Sequence, residues 1–473
     1  MSGGEGHDPR PDPRLLAGRF IRVGSAVRHQ MSEPLSRGGL ALLANTGVTG
    51  VLGFGYWLIA ARLFSTYAVG VAGALIAATT LLSGIGQLNL SGMIMRFLPT
   101  ANGKSRRLVL VTYCFATGSS ALLAAVSLAA IKIFADPGSP LRLNMLQATA
   151  FVLAVAATAI FTIEDSVLIG LRRAFWVPVE NSVFGVAKIL TLFLLAPVGS
   201  AFALFSAWMI PLTLTIPVIS AVLFYKFLPP ASLVGRASRL GQHARSMIIR
   251  FAAADAMGGL FTQVWTYILP VLVATSLGAS DNALFYTSFL MSSTVDQVAA
   301  NYASPLTVEG AHSPNQVAQL IRLALKRIYS IIIPVVGLVA IIGHWLLKAF
   351  GDKYVSAAPL LALLLAACLP KALSIVYYAS CRIQRKTHRS AALQAGVCLA
   401  TLTSALLLAH PLKLMGVGIA VVSVQSAAGV VSWWALRRTL HQIQGRPGKR
   451  GRHRRHRETR GSAGPVWLSV LDQ

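Results

Sequence analysis

Apolar residues in this chain are gathered into long runs separated by short polar and basic stretches. The runs fall at about 39–64, 67–89, 107–134, 145–170, 180–198, 201–228, 246–275, 281–303, 328–348, 355–381, 390–410 and 414–437. Each is long enough, as a helix, to cross about 30 Å of hydrocarbon. The first two are joined only by Ser65 and Thr66, so a chain that crosses in one must return in the other. The pattern predicts twelve spans. The narrowest boundary is Ala196 to Ala203, where Pro197-Val-Gly-Ser separates two helices.

A weak internal echo divides the spans. The stretch Ala61-Arg-Leu-Phe-Ser-Thr-Tyr aligns with Ala274-Thr-Ser-Leu-Gly-Ala-Ser, each ending one helix in a small-residue turn before the next. Arg96-Phe-Leu-Pro and Tyr302-Ala-Ser-Pro then close the returning helices. Two six-helix halves of the same orientation are expected, a parallel repeat about the membrane normal. The expected division is a basic N-terminal tail (1–38), a first lobe (39–228), a linker (229–245), a second lobe (246–437) and a basic, disordered tail (438–473).

Composition supports a lipid-facing surface. Hydrophobic residues make up 55% of the 473 residues and charged residues 12%, against about 25% charged in soluble domains. The net charge of +27 would suit nucleic acid, but its placement argues for a membrane. Thirty-four of the 42 lysines and arginines fall in the termini and alternate loops, six fall on the other side, and Lys188 and Lys371 lie inside helices. That asymmetry is the positive-inside pattern and predicts a cell-membrane protein with both termini cytoplasmic. The run RPGKRGRHRRHRETRG (446–461) reads as a solvated tail attracted to anionic lipid, and no nucleic-acid partner is expected.

No motif of hydrolysis or group transfer is present. Walker A, HExxH and Gly-x-Ser-x-Gly patterns are missing, and Gly-Val-Ala-Gly-Ala-Leu (70–75) reads as helix packing with no strand before it. Cys114, Cys368, Cys381 and Cys398 sit in apolar runs without zinc-site spacing. An enzyme is not indicated, and neither a cofactor nor a metal is expected.

Ionisable side chains inside helices are the informative positions, because each costs about 2.5–3.5 kcal/mol at mid-membrane on insertion scales. Asp255 and Asp296 fall at similar depths on adjacent helices, and as a pair would share a proton or bind a coupling cation. The alternative gives each a partner of its own, Arg250 serving Asp255. Lys188 and Lys371 lie mid-helix, where a cation facing a cavity attracts a diphosphate and one facing a carboxylate forms an ion pair. Glu180, eight residues before Lys188, is too far along the axis to pair with it. Arg96 stands at the mouth of a helix, as an anchor or a phosphate contact. Glu164 and Asp165 lie within two turns of Arg172 and Arg173 and are expected to form an ion cluster that could latch a gate. Gln87, Asn89, Gln263, Asn301 and Gln425 offer amides to a sugar or to a neighbouring helix. Pro211, Pro217, Pro270, Pro334 and Pro370 can bend their helices.

Four stretches carry a family resemblance: AARLF…YAVGVAGAL with MRFLP, LIGLRRAFWVPVEN (168–181), FGDKYVSAAPLLALLL (350–365) and GVGIAVVSVQS (416–426). Over roughly residues 38–438 the chain resembles the oligosaccharide and polysaccharide lipid flippases of the multidrug/oligosaccharidyl-lipid/polysaccharide exporter superfamily. The resemblance implies two six-helix bundles in a V around a cavity that opens alternately to each side. It implies transport of a polyprenyl-diphosphate-linked oligosaccharide for polysaccharide biosynthesis, with glycosyltransferases or a polymerase as possible partners. A cation-coupled multidrug antiporter of the same superfamily and a non-transporting membrane scaffold are the alternatives.

Overall fold

The computed structural model describes residues 34–88, 90–101, 105–134, 138–228, 242–312 and 317–444, and every regular element among them is helical. In chain order these are α1 (Pro34–Leu63), α2 (Thr66–Gly86), the short α3 (Leu90–Phe97), α4 (Ser105–Phe134), α5 (Met145–Gly170) and α6 (Trp176–Leu195). They continue as α7 (Ala201–Val222), α8 (Gln242–Ser276), α9 (Ala279–His312), α10 (Val317–Phe350), α11 (Ala358–Ile383) and α12 (Thr387–Gln444). Residues 1–33, 229–241 and 445–473, which hold most of the expected tails and linker, lie outside the described residues.

α12 is two helices in one. Lys413, two residues after Pro411, has φ 50° and ψ −136°, and a Cβ on Gly416 would lie 2.0 Å from the Leu408 carbonyl oxygen, so the chain reverses tightly there. With that break the long helices number twelve, as the apolar runs predict. Among the described residues nine stretches are by themselves long and apolar enough to cross a membrane, the one at 387–440 containing both halves of α12. α9 is not among them, because it carries Asp281, Asn282, Asp296 and Gln297. It tolerates these groups because it packs against helices of both halves of the molecule.

Local signals set the helix starts. Ser65 caps α2 by accepting from the Ala68 amide at 3.1 Å. Asn144 and Gln147 form a reciprocal capping box at α5, and Ser200 accepts from the Ala203 amide at 3.0 Å at α7. Two expected boundaries shift. α9 runs on to His312, and α10 begins at Val317 rather than near 328. The added turns of α10 bury Val317 and Ile321 but expose Arg322 and Lys326, an amphipathic stretch that an apolar run does not reveal.

Helices α1–α7 pack chiefly on one another, as do α8–α12, giving two six-helix bundles. They meet where α2 packs against α8 and α9, with α1 touching α9 and α10. Small residues permit that approach. A Cβ on Gly70 would stand 1.6 Å from the Ala279 carbonyl oxygen, and one on Gly84 would stand 2.5 Å from Gln263 Oε1. Asn282 Nδ2 donates to the Gly70 carbonyl at 2.7 Å. Arg62 donates to the Ala349 and Lys348 carbonyls at 2.6 and 2.9 Å, satisfying two acceptors that the last turn of α10 leaves open. The turns at Ser65, Gly278 and Gly351 therefore close together at one end of the molecule.

Candidate functional site

Two turns in from that closed end, Trp57 of α1 and Tyr286 of α9 face each other with ring centroids 4.7 Å apart. They cap a cavity of about 570 Å³ between the bundles, which extends away from the closure towards Thr49, Asn181, Asp296 and Gln297. Both in-helix lysines line it, Lys188 from α6 and Lys371 from α11.

The two lysines are held differently. Lys188 is 5% exposed, its ammonium 3.8 Å from the Trp208 ring centroid, 5.0 Å from Phe184 and 5.5 Å from Tyr56. Tyr56 is fixed in turn by donating to the Leu204 carbonyl at 2.9 Å and by an edge contact with Trp208. Ring faces are a moderate substitute for water around a cation, worth roughly 2 kcal/mol when desolvated. No carboxylate lies within ion-pair distance of Lys188 among the described residues. The side chain brings to the cavity an amine with no carboxylate partner among the described residues.

Lys371 is neutralised. Its Nζ lies 2.6 Å from Asp296 Oδ2, with the Trp265 ring centroid 4.9 Å away. The two readings offered for Lys371, cavity cation and intramembrane ion pair, hold together. Asp296 therefore has a cation for partner, while its relation to Asp255 lies outside the described residues. Asp255 and Arg250 belong to α8, and Arg96 to α3, but their side chains lie outside the described residues.

Glu164 and Asp165 do not join Arg172 and Arg173 in the expected ion cluster. Glu164 Oε1 accepts from Ser220 Oγ at 2.5 Å and more weakly from Tyr113 Oη at 3.4 Å. Asp165 accepts from Asn181 Nδ2 at 3.3 Å. Arg173 instead lies over the Phe227 ring, 5.3 Å from its centroid. The reason is directional: Arg172, at φ 58°, turns the chain out of α5, while the carboxylates point into the first bundle. Glu180 is buried too, and neither of its carboxylate oxygens has a hydrogen-bond partner among the described residues. Among the described residues no group of three His, Cys, Asp or Glu is arranged to hold a metal ion.

The amides divide between cavity and framework. Gln297 lines the cavity and donates to Asn301 at 3.2 Å. Gln263 fills the space against Gly84, and Gln87 accepts from Ser91 at 3.0 Å. The aromatic surround of Lys188 escaped the reading of charged positions. Its signal in the sequence is the placement of Tyr56, Trp57 and Trp208 inside apolar runs rather than at their ends, where interfacial aromatics belong.

Neither protein-family models nor curated protein sequences give a match to the chain. Solved structures do. An inward-facing multidrug resistance MATE family transporter of the MOP superfamily superposes with a TM-score of 0.63 at 15% identity, covering 87% of this chain and 96% of that one. An outward-facing structure of such a transporter gives 0.60 at 15% identity, covering 87% and 96%. A MATE structure in complex with MaL6 gives 0.60 at 15%, covering 87% and 97%. The chain has the twelve-helix, two-bundle fold of these transporters.

Proposed function

We propose that this protein is a flippase that moves a polyprenyl-diphosphate-linked oligosaccharide across the cell membrane. The observation that carries the reading is Lys188, a basic side chain without a carboxylate partner among the described residues, in a cavity shared by both bundles. With Lys371 matched by Asp296, the basic group left to the cavity among the described residues is Lys188, which in its protonated form suits an anionic diphosphate. Thr49, Thr80, Asn181 and Gln297 supply donors and acceptors for sugar hydroxyls. The lipid tail stays in the bilayer while the headgroup occupies the cavity.

The positive-inside pattern assigns the closed end of the molecule to the outer face, which makes this the state that loads from the cytoplasm. Outward movement of an anion from a negative interior is favoured by about 2.3 kcal/mol per charge per 100 mV. A cation-coupled drug antiporter is the second reading, favoured by the description of the structural neighbours and by Asp296 in the cavity wall. Against it, Asp296 is already engaged by Lys371.

Proteoliposomes carrying a fluorescent polyprenyl-diphosphate oligosaccharide test the proposal. The wild type should expose the label to an added quencher faster than Lys188→Met. Equal rates for the two, with export of a cationic dye by both, would transfer the case to the antiporter.

A further inference from the structure

A second concavity lies on the far side of α11, outside the cavity between the bundles. It is a groove of about 650 Å³ lined by Leu325 and Tyr329 of α10, Pro370 and Leu373 of α11, and Ser426, Gly429, Val430 and Trp433 of α12. Its lining is apolar. The Tyr329 hydroxyl is committed to the Leu369 carbonyl at 2.8 Å, which leaves the Ser426 hydroxyl and the Trp433 indole N–H as the other polar groups among the lining side chains. A close contact forms its floor, since a Cβ on Gly429 would meet Pro370 Cβ at 2.7 Å. Val430 and Trp433 are 69% and 40% exposed. In a membrane-spanning bundle such side chains face lipid.

One end of the groove is cationic. Ser426, Val430, Trp433 and Arg437 follow the spacing of one helical face. Arg437 places its guanidinium carbon 4.5 Å from the Trp433 ring centroid. On α10 the same register runs from Tyr329 and Leu325 to exposed Arg322. From Ser426 to Arg437 the face is about 16 Å long at 1.5 Å per residue, enough for the upper part of an acyl chain with its phosphate at the arginines. Here the apolar wall and the charge at its mouth match both parts of one molecule.

We propose that this groove is a binding site for an anionic phospholipid, one acyl chain lying between α10, α11 and α12 and the phosphate held by Arg437 and Arg322. The polyprenyl tail of a transported substrate is a poorer occupant, because α11 stands between the groove and the cavity that would hold its headgroup. The position of the site gives it a consequence. Pro370 in the groove precedes Lys371 in the cavity, and without an amide hydrogen it leaves the α11 ladder open at this level. The bound chain packs directly behind the Lys371–Asp296 pair.

The test uses the full chain in phosphatidylcholine nanodiscs holding a trace of phosphatidylglycerol with a photoactivatable acyl chain. Labelled peptides should include 325–329 and 426–433, and unlabelled phosphatidylglycerol should compete several-fold better than phosphatidylcholine. Arg437→Gln and Arg322→Gln should each weaken that preference about fivefold, the effect of one cation near an anionic surface. Both residues are exposed, so folding is not at stake; Ser426→Trp, which fills the groove, should remove the labelling itself. Equal competition by phosphatidylcholine, or a preference that survives the double arginine variant, would overturn the site. Stronger competition by a polyprenyl phosphate would overturn it in favour of the substrate's tail.

Discussion

Lys371 Nζ and Asp296 Oδ2 lie 2.6 Å apart, joining α11 to α9 across 75 residues of sequence. The same two helices are tied again by Cys368, whose thiol donates to the Ser292 carbonyl at 3.5 Å. The ion pair is at the cavity wall, about one-fifth exposed on each side, so it is partly screened and its strength falls between surface and interior values. Removing one member leaves a charge facing its helices alone. Asp296→Asn and Lys371→Met should each lower the melting temperature in detergent, and the double variant should recover part of the loss. A coupling of about 0.5–3 kcal/mol is expected for residues in contact. Strictly additive losses would show that the pair contributes nothing of its own.

Lys188 should behave in the opposite way. Its amine is buried against rings with no carboxylate beside it among the described residues. Methionine keeps most of the volume and removes the desolvated amine. Lys188→Met is expected to melt at or above the wild-type temperature while substrate flipping is lost. Trp208→Leu should be destabilising, by less than the roughly 3–5 kcal/mol of truncating a core tryptophan to alanine, since leucine keeps part of the volume and Trp208 is half-buried. A Lys188→Met variant that is both unstable and active would remove the residue from the site.

Gly70 makes the backbone-to-backbone approach between bundles possible. A methyl there would lie 1.6 Å from the Ala279 carbonyl oxygen, a backbone atom that cannot step aside without moving α9. Gly70→Ala should cost about 1–3 kcal/mol as an overpacked contact. It should also part the closed end, read as a longer distance between spin labels at exposed Tyr67 and Lys353. An unchanged distance distribution would show that the closure does not depend on this contact.

The buried carboxylates of the first bundle separate by their partners. Glu164 relies on the Ser220 hydroxyl at 2.5 Å, so Ser220→Ala should destabilise by about 1–3 kcal/mol, the range for an orphaned buried group. Glu180 has no donor to lose. Glu180→Gln removes a possible buried charge and should be neutral or stabilising in thermal melts, and a marked loss would reveal a partner for this side chain.

The helices were legible because lipid imposes them: an apolar run of sufficient length has few alternatives. The turn at Ser65 and the break near Lys413 were both marked by polar or Pro interruptions. The early start of α10 was not, since Arg322, Lys326 and Arg327 interrupt its apolar run while Val317 and Ile321 continue its buried face. Candidate residues were findable one by one from the cost of charge in hydrocarbon. Their partners were not. Asp296 meets Lys371, and Tyr56 and Trp208 meet Lys188, through contacts between helices distant in sequence. Glu164 and Asp165 look paired with Arg172 and Arg173 when counted in turns. Spacing along a helix says nothing of the direction taken after it ends.

The hydrogen bonds across the closed end share one property. Arg62 and Asn282 supply the donors, and each acceptor is a main-chain oxygen of Ala349, Lys348 or Gly70. Such oxygens take water as readily as they take a side chain, and the net gain of an intramolecular bond over that exchange is only about 0.5–1.5 kcal/mol. A fastening built this way comes undone by wetting, with no charge stranded and no rotamer forced. Two side chains thus fasten this end only lightly, and the close packing of Gly70 against Ala279 carries the rest of the closure.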